Sequence, residues 1–157
     1  MQYIQSSFEK LDHGKLGTNY DAISMWNVFE HLYDVHAMLE SMKSLLRPGG
    51  LFLLMIPNVE SLASRIIRAQ SPTFNWKHVH HFCVRSLRRL MREHGYREVH
   101  LETVVTEIDN VKSYLSGEHP YHGFGDPSGL FDFITPEYLH DHLLGSRILA
   151  VFATSVS

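Results

Sequence analysis

Two groups of residues in this sequence could do chemistry. Glu30 and His31 stand side by side directly after a largely apolar segment, Tyr20 to Val28. A carboxylate beside an imidazole can fix the ring tautomer and favour proton uptake, which suits removal of a proton from an acceptor near neutral pH. The second group is His78, His80 and His81, the densest cluster among twelve histidines, with Trp76 and Phe82 interleaved. His78 and His80 alternate as strand neighbours would, so both can face one pocket. His80 joins Glu30 and His31 as a catalytic candidate. No carboxylate or cysteine stands at ligand spacing within that stretch, so no metal site is expected there.

Other charged or histidine-rich groups read as surface. His119 and His122, and His140 and His142, fall in polar loops. Arg85, Arg88, Arg89 and Arg92 share one helical face opposite Leu87, Leu90 and Met91, the pattern of a solvated stripe. Seventeen acidic against fourteen basic side chains give a net charge of -3, which argues against a nucleic-acid partner. Cys83 is the one cysteine, so no intrachain disulfide can form and a reducing, cytoplasmic setting is expected. No apolar run approaches the roughly 18 residues of a membrane span.

These candidates need a scaffold, and the apolar pattern supplies one. Tyr20 to Val28 lacks Gly and Pro and reads as a buried strand. Asp34 is a good N-cap for an amphipathic helix to Leu46, with Val35, Met38, Leu39, Met42 and Leu45 on one side. Pro48-Gly49-Gly50 closes it, and the unbroken run Leu51 to Ile56 is the next buried strand. Strand, helix and strand so joined make a right-handed parallel crossover. A helix around Val59–Ile67, the histidine stretch Ser71–Phe82, a helix Arg85–His94 stopped at Gly95, a strand Tyr96–Ile108 and a last strand Arg147–Val156 follow. Residues 109–146 are rich in Gly and Pro and read as a loop-rich insertion, with a short helix from Pro136 to Leu144. The expected fold class is α/β, in one domain spanning 1–157.

Three segments carry a resemblance: Tyr20-Asp21-Ala22-Ile23, Val28-Phe29-Glu30-His31-Leu32 and Leu45-Leu46-Arg47-Pro48-Gly49-Gly50. Together they resemble the C-terminal portion of a class I S-adenosylmethionine-dependent methyltransferase, of the subgroup that includes ubiquinone-biosynthesis-type O-methyltransferases. His78 to Phe82 and Leu90 to Tyr96 are similar to the same subgroup. The resemblance implies a partial Rossmann-like sheet, helices on both faces and a C-terminal antiparallel strand pair. It implies S-adenosylmethionine as cofactor, with Ser7, Phe8, Trp26 and Asn27 on the cofactor side, and a small-molecule or lipid-like acceptor, methylated on oxygen. In the ubiquinone-type relatives the positions of Asn27, Glu30 and His31 hold a divalent metal; Asn27 departs from their glutamate.

The family's glycine-rich cofactor loop and ribose-binding acid would precede these segments, and the expected strand remnant is Met1 to Gln5. The resemblance therefore implies a truncated domain or natural half, with weak cofactor binding by the isolated chain. It implies pairing with a missing N-terminal half or with a second copy. The competing function is a non-catalytic remnant acting as an interaction module; a histidine-bound metal protein is a third.

Overall fold

A computed structural model describes residues 5–6, 16–123, 125, 128–129 and 131–155. The expected strand at Met1–Gln5 and the candidates Ser7 and Phe8 lie essentially outside these described residues. Four strands form one sheet: β1 (Tyr20–Trp26), β2 (Leu46–Pro57), β3 (Tyr96–Val104) and β4 (Arg147–Thr154). Their order is β1-β2-β4-β3. β1 runs parallel to β2, while β4 lies antiparallel to both of its neighbours. The antiparallel strand pair expected at the C-terminal end of the sheet is thus β3 and β4.

The helices are α1 (Val35–Leu45), α2 (Leu62–Ile67), α3 (Val84–Glu93), α4 (Ile108–Leu115) and α5 (Pro136–Asp141). Alternation along the two inner strands decides where the core sits. Phe52, Leu54 and Ile56 of β2 and Ile148, Ala150 and Phe152 of β4 point to one face and are fully buried. Val35, Met38, Leu39 and Met42 of α1 and Leu87 and Met91 of α3 pack in the same cluster. Leu51, Leu53 and Met55 point the other way and are half-buried. A second, smaller cluster joins Ala63 and Ile67 of α2 to Val111 of α4.

Local chemistry explains the boundaries. Asp34 caps α1 by accepting the Ala37 N–H at 2.9 Å, and Ser61 caps α2 by accepting that of Ser64 at 3.0 Å. Helix α1 stops at Leu45, before the Pro48-Gly49-Gly50 turn, and the chain enters β2 at once. Tyr20 pairs with Leu46 but Ala22 pairs with Leu51, so the proline-glycine segment is accommodated as a bulge. Gly50 is needed there: a Cβ would sit 2.9 Å from the Arg47 carbonyl oxygen and 3.1 Å from that of Tyr20. At the other end, β3 stops at Val104 rather than Ile108. Val105 and Glu107 adopt left-handed backbone conformations (φ +61° and +51°) and turn the chain directly into α4. The loop-rich insertion therefore contains an additional helix over Ile108–Leu115. No helix of the described residues is long and apolar enough to cross a membrane.

Candidate functional site

The carboxyl end of β1 builds the site. Asn27 has φ +52° and donates its N–H to the Met55 carbonyl at 2.8 Å, which extends the parallel pairing by one residue and then turns the chain. A single 3₁₀ turn follows, Phe29–His31. Phe29 is fully buried, stacked on Phe82 with centroids 5.3 Å apart and edge-on to Phe52 at 6.4 Å. That anchor seats the next residue inside the protein: Glu30 is only 1% exposed. Neither carboxylate oxygen of Glu30 has a hydrogen-bond partner. A buried carboxylate without partners is costly, and buried charges are normally paired or bound to a cation. His31 Nε2 lies 3.8 Å from Glu30 Oε1, beyond hydrogen-bond reach.

The histidine stretch closes over this turn. Ser71 caps a 3₁₀ turn at Pro72–Phe74, and Asn75 accepts the N–H groups of Lys77 and His78 at 2.9 and 3.0 Å. His80 then donates its backbone N–H to the Glu30 carbonyl at 3.1 Å. Two ring nitrogens are fixed by backbone carbonyls: His31 Nδ1 on Lys77 at 2.9 Å and His78 Nδ1 on Thr73 at 2.8 Å. Carbonyl oxygens only accept, so both Nδ1 atoms carry hydrogen, and in the neutral form of each ring Nε2 holds the lone pair. The two rings meet edge to face, 4.9 Å between centroids. One donor atom each from Glu30, His31 and His78 lies within 4.8 Å of the other two. Thr73 contributes the third unpartnered buried polar atom of the described residues, its hydroxyl.

The structure thus brings Glu30 and His31 together with His78 rather than with His80. The 75–83 segment is a turn and not a strand, so period-two alternation does not apply to it. His80 Nε2 lies 3.4 Å from the Tyr33 carbonyl, and its ring faces Phe82 at 5.9 Å. His81 stacks on Phe74. Trp26 ends β1 and is 47% exposed. Exposed Val28, Tyr33, Trp76 and Val79 belong to the same loops. The His78 role had a sequence signal, Thr73 five residues earlier, but it is readable only once the turn between them is known.

Neighbouring features are structural. Asn58, buried just past β2, donates Nδ2–H to the carbonyls of Leu143 and Gly145 at 3.2 and 2.9 Å and ties the approach to β4. Tyr121 donates to Glu107 at 3.2 Å; burial first, and then that carboxylate, push its phenol up to about 12. It stays protonated at physiological pH. The arginine stripe of α3 is largely neutralised: Arg88 forks onto Glu98 at 2.7 and 2.8 Å, Arg89 pairs with Glu93 at 2.8 Å, and Arg85 lies 3.5 Å from Glu60.

Residues 2–101 match the family model described as a methyltransferase domain. A C-methyltransferase of Streptomyces niveus is 33% identical over 75 residues, which are 48% of this chain and 17% of the relative. Among solved structures, a SAM-dependent methyltransferase of Thermotoga maritima superposes with a TM-score of 0.56 at 16% identity, covering 88% of this chain and 58% of that one. Magnesium protoporphyrin IX methyltransferase of Synechocystis PCC 6803, with bound SAH, gives a TM-score of 0.50 at 12% identity, covering 92% and 49%. The chain therefore spans about half of these structures, 58% and 49%, and about a sixth of the curated relative.

Proposed function

The chain belongs to the family of methyltransferase domains, and on that premise we propose that it carries the acceptor side of an S-adenosylmethionine-dependent methyl transfer to a small molecule. The observation that supports this most is the buried, unpartnered Glu30 carboxylate beside a His31 whose Nε2 lone pair is free. In open α/β sheets ligands bind beyond the carboxyl ends of the parallel strands, and both residues stand there on β1. The cofactor supplies an electrophilic methyl group on a sulfonium. Trp26, half exposed at the same strand end, offers a flat apolar wall to its adenine, and Asn27 and the N-terminal pair Ser7 and Phe8 complete the cofactor side of this reading.

His31 is the base. Its Nδ1–H is held by the Lys77 carbonyl, so the acceptor's proton goes to Nε2, where the Glu30 carboxylate 3.8 Å away stabilises the imidazolium that forms. This serves an acceptor hydroxyl, and equally an acidic carbon like those a C-methyltransferase must deprotonate. His80 positions the histidine loop through its backbone bond to Glu30. In the complete protein, His31→Asn lowers turnover about 10²-fold or more while cofactor affinity, read by calorimetry, stays unchanged. Unchanged turnover of that variant sinks the base assignment.

The outer edge of β1 supports one further element of this reading. Among the described residues β1 pairs only with β2, and Tyr20, Asp21, Ala22, Ser24 and Trp26 are exposed. An open edge is a template for another strand. Such a strand comes from the rest of the same domain or from a second copy, and sedimentation of the complete protein separates the two.

A further inference from the structure

We infer that the hollow between α2 and α3 is a binding site for a phosphate dianion, either free or borne by a small organic molecule. The inference goes beyond methyl transfer and does not rest on that reading, since no residue of the 3₁₀ turn after β1 lines the hollow. Its walls are the turn after β2 at Asn58 and Glu60, Arg65 of α2, the outer face of α3, and His142–Leu144 just past α5. It encloses about 490 Å³, room for a small ligand or its head group.

Charge carries the argument. Five guanidiniums line the hollow, those of Arg65, Arg85, Arg88, Arg89 and Arg92, in a chain whose net charge is -3. The four on α3 share a face because they recur at i, i+3, i+4 and i+7, and α2 brings the fifth across from them. Carboxylates compensate only part of this. Glu98 and Glu93 hold Arg88 and Arg89, and neither acid lines the hollow. Glu60, the one carboxylate in the lining, is shared: it lies 3.5 Å from Arg85 and 3.7 Å from Arg65, too far for a strong hydrogen bond to either. The Arg92 guanidinium has no hydrogen bond or ion pair among the described residues and acts on Glu93 only through space. Five cations against three carboxylates leave two positive charges on one hollow.

That surplus matches a phosphate group, which carries a charge of about -1.5 to -2 at neutral pH; a single carboxylate would leave one charge over. Guanidinium forks also fit phosphate oxygens two at a time. Two of the five are already oriented. Arg88 is locked by its fork onto Glu98, and Arg65 donates its Nε–H to the Glu60 backbone carbonyl at 2.9 Å, a neutral contact that leaves its charge uncompensated. Val84, Leu143 and Leu144 complete the lining with apolar surface on which the organic part of an ester can rest. A nucleic acid fits less well, because its backbone needs positive charge spread over many phosphates and the chain as a whole is acidic.

The test titrates the complete protein with sodium pyrophosphate, inorganic phosphate and phenyl phosphate by calorimetry at low salt. One pyrophosphate per chain is expected, with affinity falling as NaCl is raised. Arg65→Gln and Arg92→Gln each weaken binding about tenfold or more. Arg47→Gln removes the same charge from a guanidinium paired with Asp21 outside the hollow, and leaves binding within about twofold. Arg65 and Arg92 are exposed, so the variants are expected to fold; circular dichroism checks this, and Arg85→Gln replaces either one that does not. Phenyl phosphate bound more tightly than inorganic phosphate supports an ester as the ligand, and the reverse order supports free phosphate. No binding of any of the three, or equal binding by the parent and the folded Arg65 and Arg92 variants, overturns the inference. So does a single-stranded oligonucleotide that binds more tightly than pyrophosphate and loses affinity in the same variants, which would make the hollow part of a nucleic-acid surface.

Discussion

Two places in this molecule join one glutamate to two histidines, and they are wired oppositely. On the outer side of α1, Glu40 accepts from His94 Nδ1 at 2.7 Å, and His94 Nε2 meets His36 Nδ1 at 2.7 Å. Glu40 also lies 3.4 Å from Lys43. Each contact uses the lone pair or hydrogen that the next group needs, so the chain of groups is filled. It ties α1 to the C-terminal end of α3 at the protein surface. At Glu30, His31 and His78 the same residue types are left unfilled. Backbone carbonyls take the Nδ1 hydrogens, the Nε2 atoms of the neutral rings keep their lone pairs, and the carboxylate is buried with neither oxygen hydrogen-bonded. A filled network holds helices together; an unfilled one, kept in place by the Phe29 anchor, is available to a ligand. Composition is identical and wiring decides the role.

The largest effect that sharpens this contrast is on turnover. His31→Asn removes the free lone pair and costs the roughly 10²-fold already stated, whereas His36→Asn leaves turnover within about twofold. Parallel steady-state assays on the two variants make the measurement. Equal losses would mean that both triads act only through the fold, and the contrast would collapse.

A smaller effect, of opposite sign at the two sites, is on stability. Glu30→Met, close in volume, removes a buried carboxylate that no group hydrogen-bonds, and unfolding free energy is expected to rise by about 1–3 kcal/mol. Glu40→Gln weakens a made hydrogen bond to His94 and lowers the denaturant midpoint. Urea unfolding of both variants beside the parent gives the two signs directly. A fall in stability for Glu30→Met would show that the carboxylate has a partner after all.

The difference between these sites also marks what was legible in the sequence. Glu30 and His31 could be placed because they follow an apolar strand directly, and a strand end fixes where its next residues project. The Asp34 cap, the Leu51–Ile56 run and Gly95 were readable for similar reasons, since each acts through its immediate neighbours. His78 could not be separated from His80, because their orientation depends on a turn held by the Thr73 and Asn75 side of the loop. Glu40 and His94 are 54 residues apart and meet only when α1 and α3 pack on the same face. Helix α4 was hidden for a different reason. Its start is set by left-handed Val105 and Glu107, residue types that do not advertise a turn, and its apolar Ile108, Val111 and Leu115 sit beside a glycine-rich stretch.

The smallest expected effect is the pH response of the filled network. The hydrogen bond from His94 holds the Glu40 carboxyl below its ordinary value of 4.5; partial desolvation opposes this, and Lys43 adds to the lowering. A carboxyl whose value is lowered by folding contributes stability that is fully present above the unfolded value and is lost as pH falls through the folded one. The contribution is therefore intact at pH 6 and disappears on the acid side of about pH 4.5. Solvent and salt screen so exposed a contact, so the response is small. The sensitive measurement is a difference: urea midpoints of the parent and of Glu40→Gln, compared in steps of pH at low salt. The two curves are expected to be separated near neutrality and to converge as the solution is acidified. A gap between parent and Glu40→Gln that stays constant down to the acid limit would mean that the carboxyl is not held by His94, and that the outer triad is as open as the inner one.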